Sequence, residues 1–213
     1  AEVYRANYPE TTMVVGDIRT TRSQILDVAR QRLGARELDI LFATPPCQGM
    51  SKNGRGKLLN GIRAGVKPKL DERNSLAFEA VAVAAVLRPK VIVFENVPEM
   101  ENTLVDRPDG TVGDLLQTIA EMLAPEYAGR WEVVKFADYG VPQNRKRVML
   151  VGVREDLRQW YWFPPATHAA LKVAHKFDLP PHTSHGDAIA ELPLWPSGEF
   201  YERPHDPEGH WSW

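Results

Sequence analysis

The sequence predicts an open α/β sheet with mostly parallel strands and an antiparallel last strand. Three observations predict it. Up to about residue 155, apolar runs of strand length alternate with segments of helical period. The last two apolar runs are separated only by residues 137–147, a connection with no helical pattern and too short for an ordinary parallel crossover. Beyond that point the chain is punctuated by prolines and shows little periodicity, which suggests a periodic domain over residues 1–155 and an extension over 156–213.

The elements follow in order. Met13-Val14-Val15 is a short apolar run ending at Gly16-Asp17 and reads as a strand. Thr21 and Gln24 form a capping box, and Ile25, Val28, Ala29 and Leu33 then recur at helical spacing until Gly34 closes the helix. Leu38 to Phe42 reads as a buried strand, and residues 44–70 as a loop. Asn74 is placed to cap a helix reaching Leu87, with Pro89 just beyond. Val91 to Phe94 is a further strand, Thr111 to Leu123 a helix stopped by Pro125, and Trp131 to Phe136 and Val148 to Val153 the final two strands.

Composition narrows the classes. With 213 residues, 43% hydrophobic and 25% charged, the chain is globular in composition and long enough for a sizeable core. A single cysteine excludes an internal disulfide. No run of about 18 apolar residues is present to span a membrane, and the start at Ala1-Glu2-Val3-Tyr4-Arg5 carries no signal-peptide pattern. A net charge of −2 argues against holding nucleic acid by bulk charge, yet residues 52–70 hold six basic residues and no acidic one. Four glycines make that basic loop flexible, as suits a lid closing on a phosphate backbone.

Sites in open α/β sheets gather at the carboxyl ends of the parallel strands. Here those ends carry Asp17, then Pro45-Pro46-Cys47-Gln48, then Glu95-Asn96-Val97. An antiparallel last strand adds its amino end, Gln143-Asn144-Arg145-Lys146-Arg147, to the same edge. A thiol, a carboxylate and two arginines thus converge. Glu95 continues an apolar strand, so it should emerge into a partly desolvated place, where burial would raise its pKa.

These motifs, in this order and spacing, resemble those of the DNA cytosine-5 methyltransferases, from about residue 4 to about residue 195. The flanks agree: Asp71-Glu72-Arg73-Asn74-Ser75-Leu76, Asp138-Tyr139-Gly140-Val141-Pro142-Gln143 and Phe163-Pro164-Pro165-Ala166-Thr167-His168 are similar to family segments. The resemblance implies a Rossmann-like fold that uses S-adenosyl-L-methionine, with no metal, acting on double-stranded DNA in the bacterial cytoplasm, with no membrane attachment and as part of restriction-modification. It implies Cys47 as the nucleophile at cytosine C6 and Glu95 as a largely protonated acid at N3 and N4. Arg145 and Arg147 would hold O2, the Glu95 carboxylate or a phosphate, with the division between them open. It implies Asp17, Ile18, Pro46 and Leu76 beside the cofactor, and Gln48, Ser51, Asn53, Arg55 and Arg73 against DNA.

The family's glycine-rich cofactor segment and its ribose-binding acid have no counterpart here, nor do the target-recognition region and the returning helix. The expectation is therefore a chain incomplete at both ends of the fold: a fragment, or one piece of a split enzyme completed by another chain. A non-catalytic DNA-binding remnant is the rival from another class. A tRNA cytosine methyltransferase shares the chemistry, although Gln48-Gly49-Met50-Ser51 looks more like the bacterial DNA enzymes. A cysteine hydrolase needs a histidine near Cys47, and all six histidines lie after residue 167. His182-x-x-His185 invites a zinc reading that lacks a cysteine pair.

Overall fold

In the computed structural model, residues 2–46, 70 and 72–191 are described. Close contacts group them into two units. One comprises Ala1–Phe136 with Arg145–Ala166, the other Ala137–Asn144 with Thr167–Trp213.

The first unit holds a four-stranded sheet: β1 (Ile40–Ala43), β2 (Val91–Asn96), β5 (Tyr127–Lys135) and β6 (Lys146–Arg154). Its spatial order is β1-β2-β6-β5. β1 and β2 are parallel, whereas β6 is antiparallel to both β2 and β5. β1, β2 and β5 therefore share one direction, and the last strand is inserted against them, as the short connection predicts. The β5–β6 link makes a single 3-10 turn at Phe136–Tyr139, and Phe136 N–H donates to Arg145 C=O at 2.9 Å to close its base.

Three helices support the sheet: α2 (Ile18–Leu33), α3 (Leu76–Leu87) and α4 (Leu115–Leu123), with a short α1 (Glu2–Asn7) before them. Leu115, Leu116, Ile119 and Leu123 form the buried stripe of α4. α3 is apolar nearly all round, because Ala77, Val81 and Ala84 enter the core while Val83 is buried as well. With Ile92 and Phe94 of β2, Val148 and Leu150 of β6, and Met100, these residues make one continuous core. Gly152 lets β6 pack closely on β2, since a Cβ there would meet Ile92 Cγ2 at 2.9 Å.

Four expectations need correction. Met13-Val14-Val15 forms no strand among the described residues, because no neighbouring strand offers it a ladder. α2 begins at Ile18, three residues before the expected cap, because the Asp17 carboxylate accepts from Arg19 N–H at 2.9 Å and caps the helix itself. Asn74 does not cap α3. It is buried in a 3-10 turn (Glu72–Ser75), where its side-chain amide donates to Leu104 C=O at 3.4 Å. The stretch expected as a helix from Thr111 opens instead as β4 (Val112–Asp114), paired antiparallel with β3 (Leu104–Asp106), and turns helical only at Leu115.

At the sheet edge away from the convergent motifs, Arg154 is the buried anchor. It pairs with Glu37 and with Asp156, each at 2.7 Å, and donates to Arg88 C=O. One guanidinium thereby ties the end of β6 to the entry of β1 and to the end of α3. Its neighbours' carboxylates raise its pKa above the ordinary arginine value. Arg154→Ala should lower stability by about 1–3 kcal/mol. The check is chemical denaturation, with a lower midpoint at unchanged slope.

Candidate active site

The sheet topology brings Glu95 and Arg147 together. Glu95 lies opposite Met149 across the β2–β6 ladder, so Arg147, two residues earlier on β6, is its diagonal neighbour on the same face. Their Oε1 and Nε atoms are 2.7 Å apart, with both side chains largely covered. Arg147 also donates from Nη1 to Lys146 C=O at 2.8 Å. Glu95 is thus a half-buried, ion-paired carboxylate. Arg145 is exposed and uses its backbone carbonyl to accept from Phe136. The structure therefore separates two arginines that the sequence left equivalent, since Arg147 is the one that holds Glu95.

Asn96 is the residue that sequence reasoning quoted but gave no role. It falls on the buried face of β2 with Ile92 and Phe94 and is only 3% exposed. Its Nδ2 donates to Pro45 C=O at 2.8 Å, and its Oδ1 accepts from Val97 N–H at 2.8 Å. Both polar ends are satisfied, so the amide works as a buried clamp between the chain leaving β1 and the chain leaving β2. The signal that could have found it was its place in the strand: alternation puts position 96 on the core face, where an amide needs partners.

Next to this clamp is a largely apolar pocket of about 320 Å³. It is lined by Ile18 and Ile25 of α2, by β1 and the residues after it through Pro46, and by Leu76, Ala80 and Val83 of α3. Thr44 is its one polar lining residue. Ile18, Pro46 and Leu76, expected beside a cofactor, are all in its wall. Ile25 and Val83 were missed, although each lies seven residues, or two turns, beyond Ile18 and Leu76.

Asp17, the fourth such residue, is absent from the lining. Its carboxylate is held in a fork by Arg19, with Nη2–Oδ2 at 2.6 Å and Nε at 3.0 and 3.1 Å from the two oxygens. The Arg19 hydrogen bonds pull its pKa down to about 2.

Arg73 is exposed in the 3-10 turn before α3. Cys47, Gln48, Ser51, Asn53 and Arg55 lie outside the described residues, as does the basic loop. In the second unit, His182 Nε2 is 2.8 Å from Asp138 Oδ1. Among the described residues no group of three or more His, Cys, Asp or Glu could hold a metal, and no helix is long and apolar enough to cross a membrane.

Two predictions follow from this geometry. Asn96→Ala should release residues 44–46, seen as faster backbone hydrogen exchange there, and cost about 1–3 kcal/mol. The Asp17 pKa is depressed, so its cap on α2 is fully present above about pH 4 and is lost as pH falls through about 2. The Asp17 carboxyl resonance should titrate with a midpoint near 2, and a midpoint near 4 would show that the Arg19 fork does not persist in solution.

Comparison with known proteins adds an independent line. The family model for C-5 cytosine-specific DNA methylase matches residues 1–193. Type II methyltransferase M.AquIA of Picosynechococcus sp. is 33% identical over 203 residues, covering 89% of this chain and 74% of that protein. Type II methyltransferase M1.HgaI of Avibacterium volantium is 32% identical over 152 residues, covering 70% of this chain and 40% of its own. M.NgoPII of Neisseria gonorrhoeae is also 32% identical, over 161 residues, covering 76% of this chain and again 40% of its own. The chain thus spans three quarters of one relative and about two fifths of the other two.

Among solved structures, a prophage-encoded protein of E. coli assigned as a DNA modification methyltransferase superposes with a TM-score of 0.61 at 20% identity. That match covers 90% of this chain and 45% of that one. The Entamoeba histolytica methyltransferase EhMeth gives 0.50 at 20% identity, covering 71% and 41%. Likeness at this identity speaks to the fold, which is that of the Rossmann-like methyltransferases.

Proposed function

Because the chain belongs to the C-5 cytosine-specific DNA methylase family, we propose that it is the part of a bacterial restriction-modification methylase that carries the cytosine-reacting residues. The observation that carries this reading is the Glu95–Arg147 pair beside the clamped exit of β1. A sequence motif alone would not require those two side chains to meet.

Cytosine C5 is a weak nucleophile until something adds at C6. Cys47, which follows the clamped Pro45-Pro46 directly in sequence, would add its thiolate there and make C5 enamine-like. Addition pushes electron density onto N3. Glu95 would hold the proton at N3 and accept from the exocyclic amine, and Arg147 would orient its carboxylate. Arg145 and Arg73, both exposed, would take phosphates, with Gln48, Ser51, Asn53 and Arg55 around the displaced base. The base must leave the duplex stack, since C6 is not accessible to a side chain inside it. Loss of the C5 proton finally expels Cys47.

S-adenosyl-L-methionine supplies an electrophilic methyl group on a sulfonium. The apolar slot between Ile18, Pro46 and Leu76 fits a flat heteroaromatic ring such as its adenine. Asp17, next to Ile18, would offer a carboxylate to the ring's amine once Arg19 shifts.

The open side of the sheet favours a second component. Among the described residues β1 has no strand on its outer side, and its Ile40 and Phe42 are more than half exposed. Further strands, supplied by the same polypeptide or by a complementary chain, would pair with that open backbone edge.

DNA carrying 5-fluorocytosine tests the mechanism, because fluorine blocks the last elimination. The full-length natural protein should form a covalent adduct that Cys47→Ser abolishes, and an undiminished adduct in that variant would refute the role of Cys47. Glu95→Gln should lower kcat by about 10²- to 10⁴-fold, measured by single-turnover methyl transfer.

A further inference from the structure

The apolar pocket has two helical walls, and one ion pair joins them. On α2, Arg22 lies four residues after Ile18 and three before Ile25, on the same stripe as both lining residues. On α3, Glu79 lies three residues after Leu76 and four before Val83, again between lining residues. Arg22 Nη1 donates to Glu79 Oε2 at 2.6 Å, and the Glu79 side chain is only 22% exposed. It is the one ion pair between α2 and α3 among the described residues.

Apolar contact is non-directional, so Ile18, Ile25, Leu76 and Ala80 cannot by themselves fix how far apart their helices stand across a slot. A charge-assisted hydrogen bond of this length has a preferred distance and direction.

We infer that Arg22 and Glu79 are positioning residues that set the separation of the pocket walls and hence the fit of the adenosyl group. The inference rests on the reading that this pocket takes S-adenosyl-L-methionine. Neither residue touches that ligand; they act through Ile18 and Leu76. The pair is also electrically neutral, which keeps an uncompensated cation away from a ligand that is itself a sulfonium.

The test uses the full-length natural protein, with Arg22→Met, Glu79→Gln, Arg22→Lys and the charge-exchanged Arg22→Glu/Glu79→Arg double variant. The two unpaired variants should raise KM for S-adenosyl-L-methionine, and the Kd for S-adenosylhomocysteine by calorimetry, by about three- to tenfold. Their kcat on DNA should change less than about twofold, because the reacting groups are untouched. Arg22→Lys and the double variant should recover most of the affinity.

Unchanged KM and Kd in the unpaired variants overturn the inference, as does an equal loss in all four. A fall in kcat at unchanged KM overturns it too, since that would place the pair outside the pocket. A wild-type protein that binds neither ligand overturns the pocket reading itself, a different outcome from wild-type binding with indifferent variants.

Discussion

The direction of β6 is the constraint on which the rest depends. It enters the sheet against β1, β2 and β5, between β2 and β5. A parallel strand there would have put its amino end at the opposite edge, a strand's length from the carboxyl end of β2. Because it runs antiparallel, Arg147 meets Glu95 across a single ladder at 2.7 Å. The short 136–145 link is what enforces this, since ten residues with one 3-10 turn cannot form the usual helical crossover.

Around that constraint the two sheet edges have different work. The Arg154 edge is built for holding: one buried guanidinium gathers Glu37, Asp156 and the Arg88 carbonyl, with Lys90–Asp39 and Arg88–Glu126 beside it. The opposite edge is built for presenting. There Asn96 satisfies both ends of its amide on backbone groups and keeps the exit of β1 against the exit of β2. Glu95, on the other face of the same strand, is held by Arg147 with both side chains largely covered. Strand alternation lets adjacent residues serve these two purposes.

The open flank of β1 belongs to the same account. Ile40 and Phe42 leave apolar surface uncovered on β1, and no strand pairs with the apolar run at 13–15 among the described residues. Phe42 is also part of the pocket wall. Whatever covers that flank therefore also bounds the pocket.

The sequence by itself determined the α/β class, the antiparallel last strand and the convergence of Glu95 with the arginine segment. These follow from periodicity, connection length and strand ends, which are local properties. It misjudged the start of α2, the role of Asn74 and the strand at 13–15, because capping and pairing depend on what stands nearby in space. Only the tertiary structure decided that Arg147 rather than Arg145 holds Glu95, that Asn96 clamps Pro45, that Asp17 is engaged by Arg19, and that Arg22 and Glu79 join across the pocket. Each of these is a contact at hydrogen-bond distance, set by register and helix packing, and neither can be read from spacing along a chain.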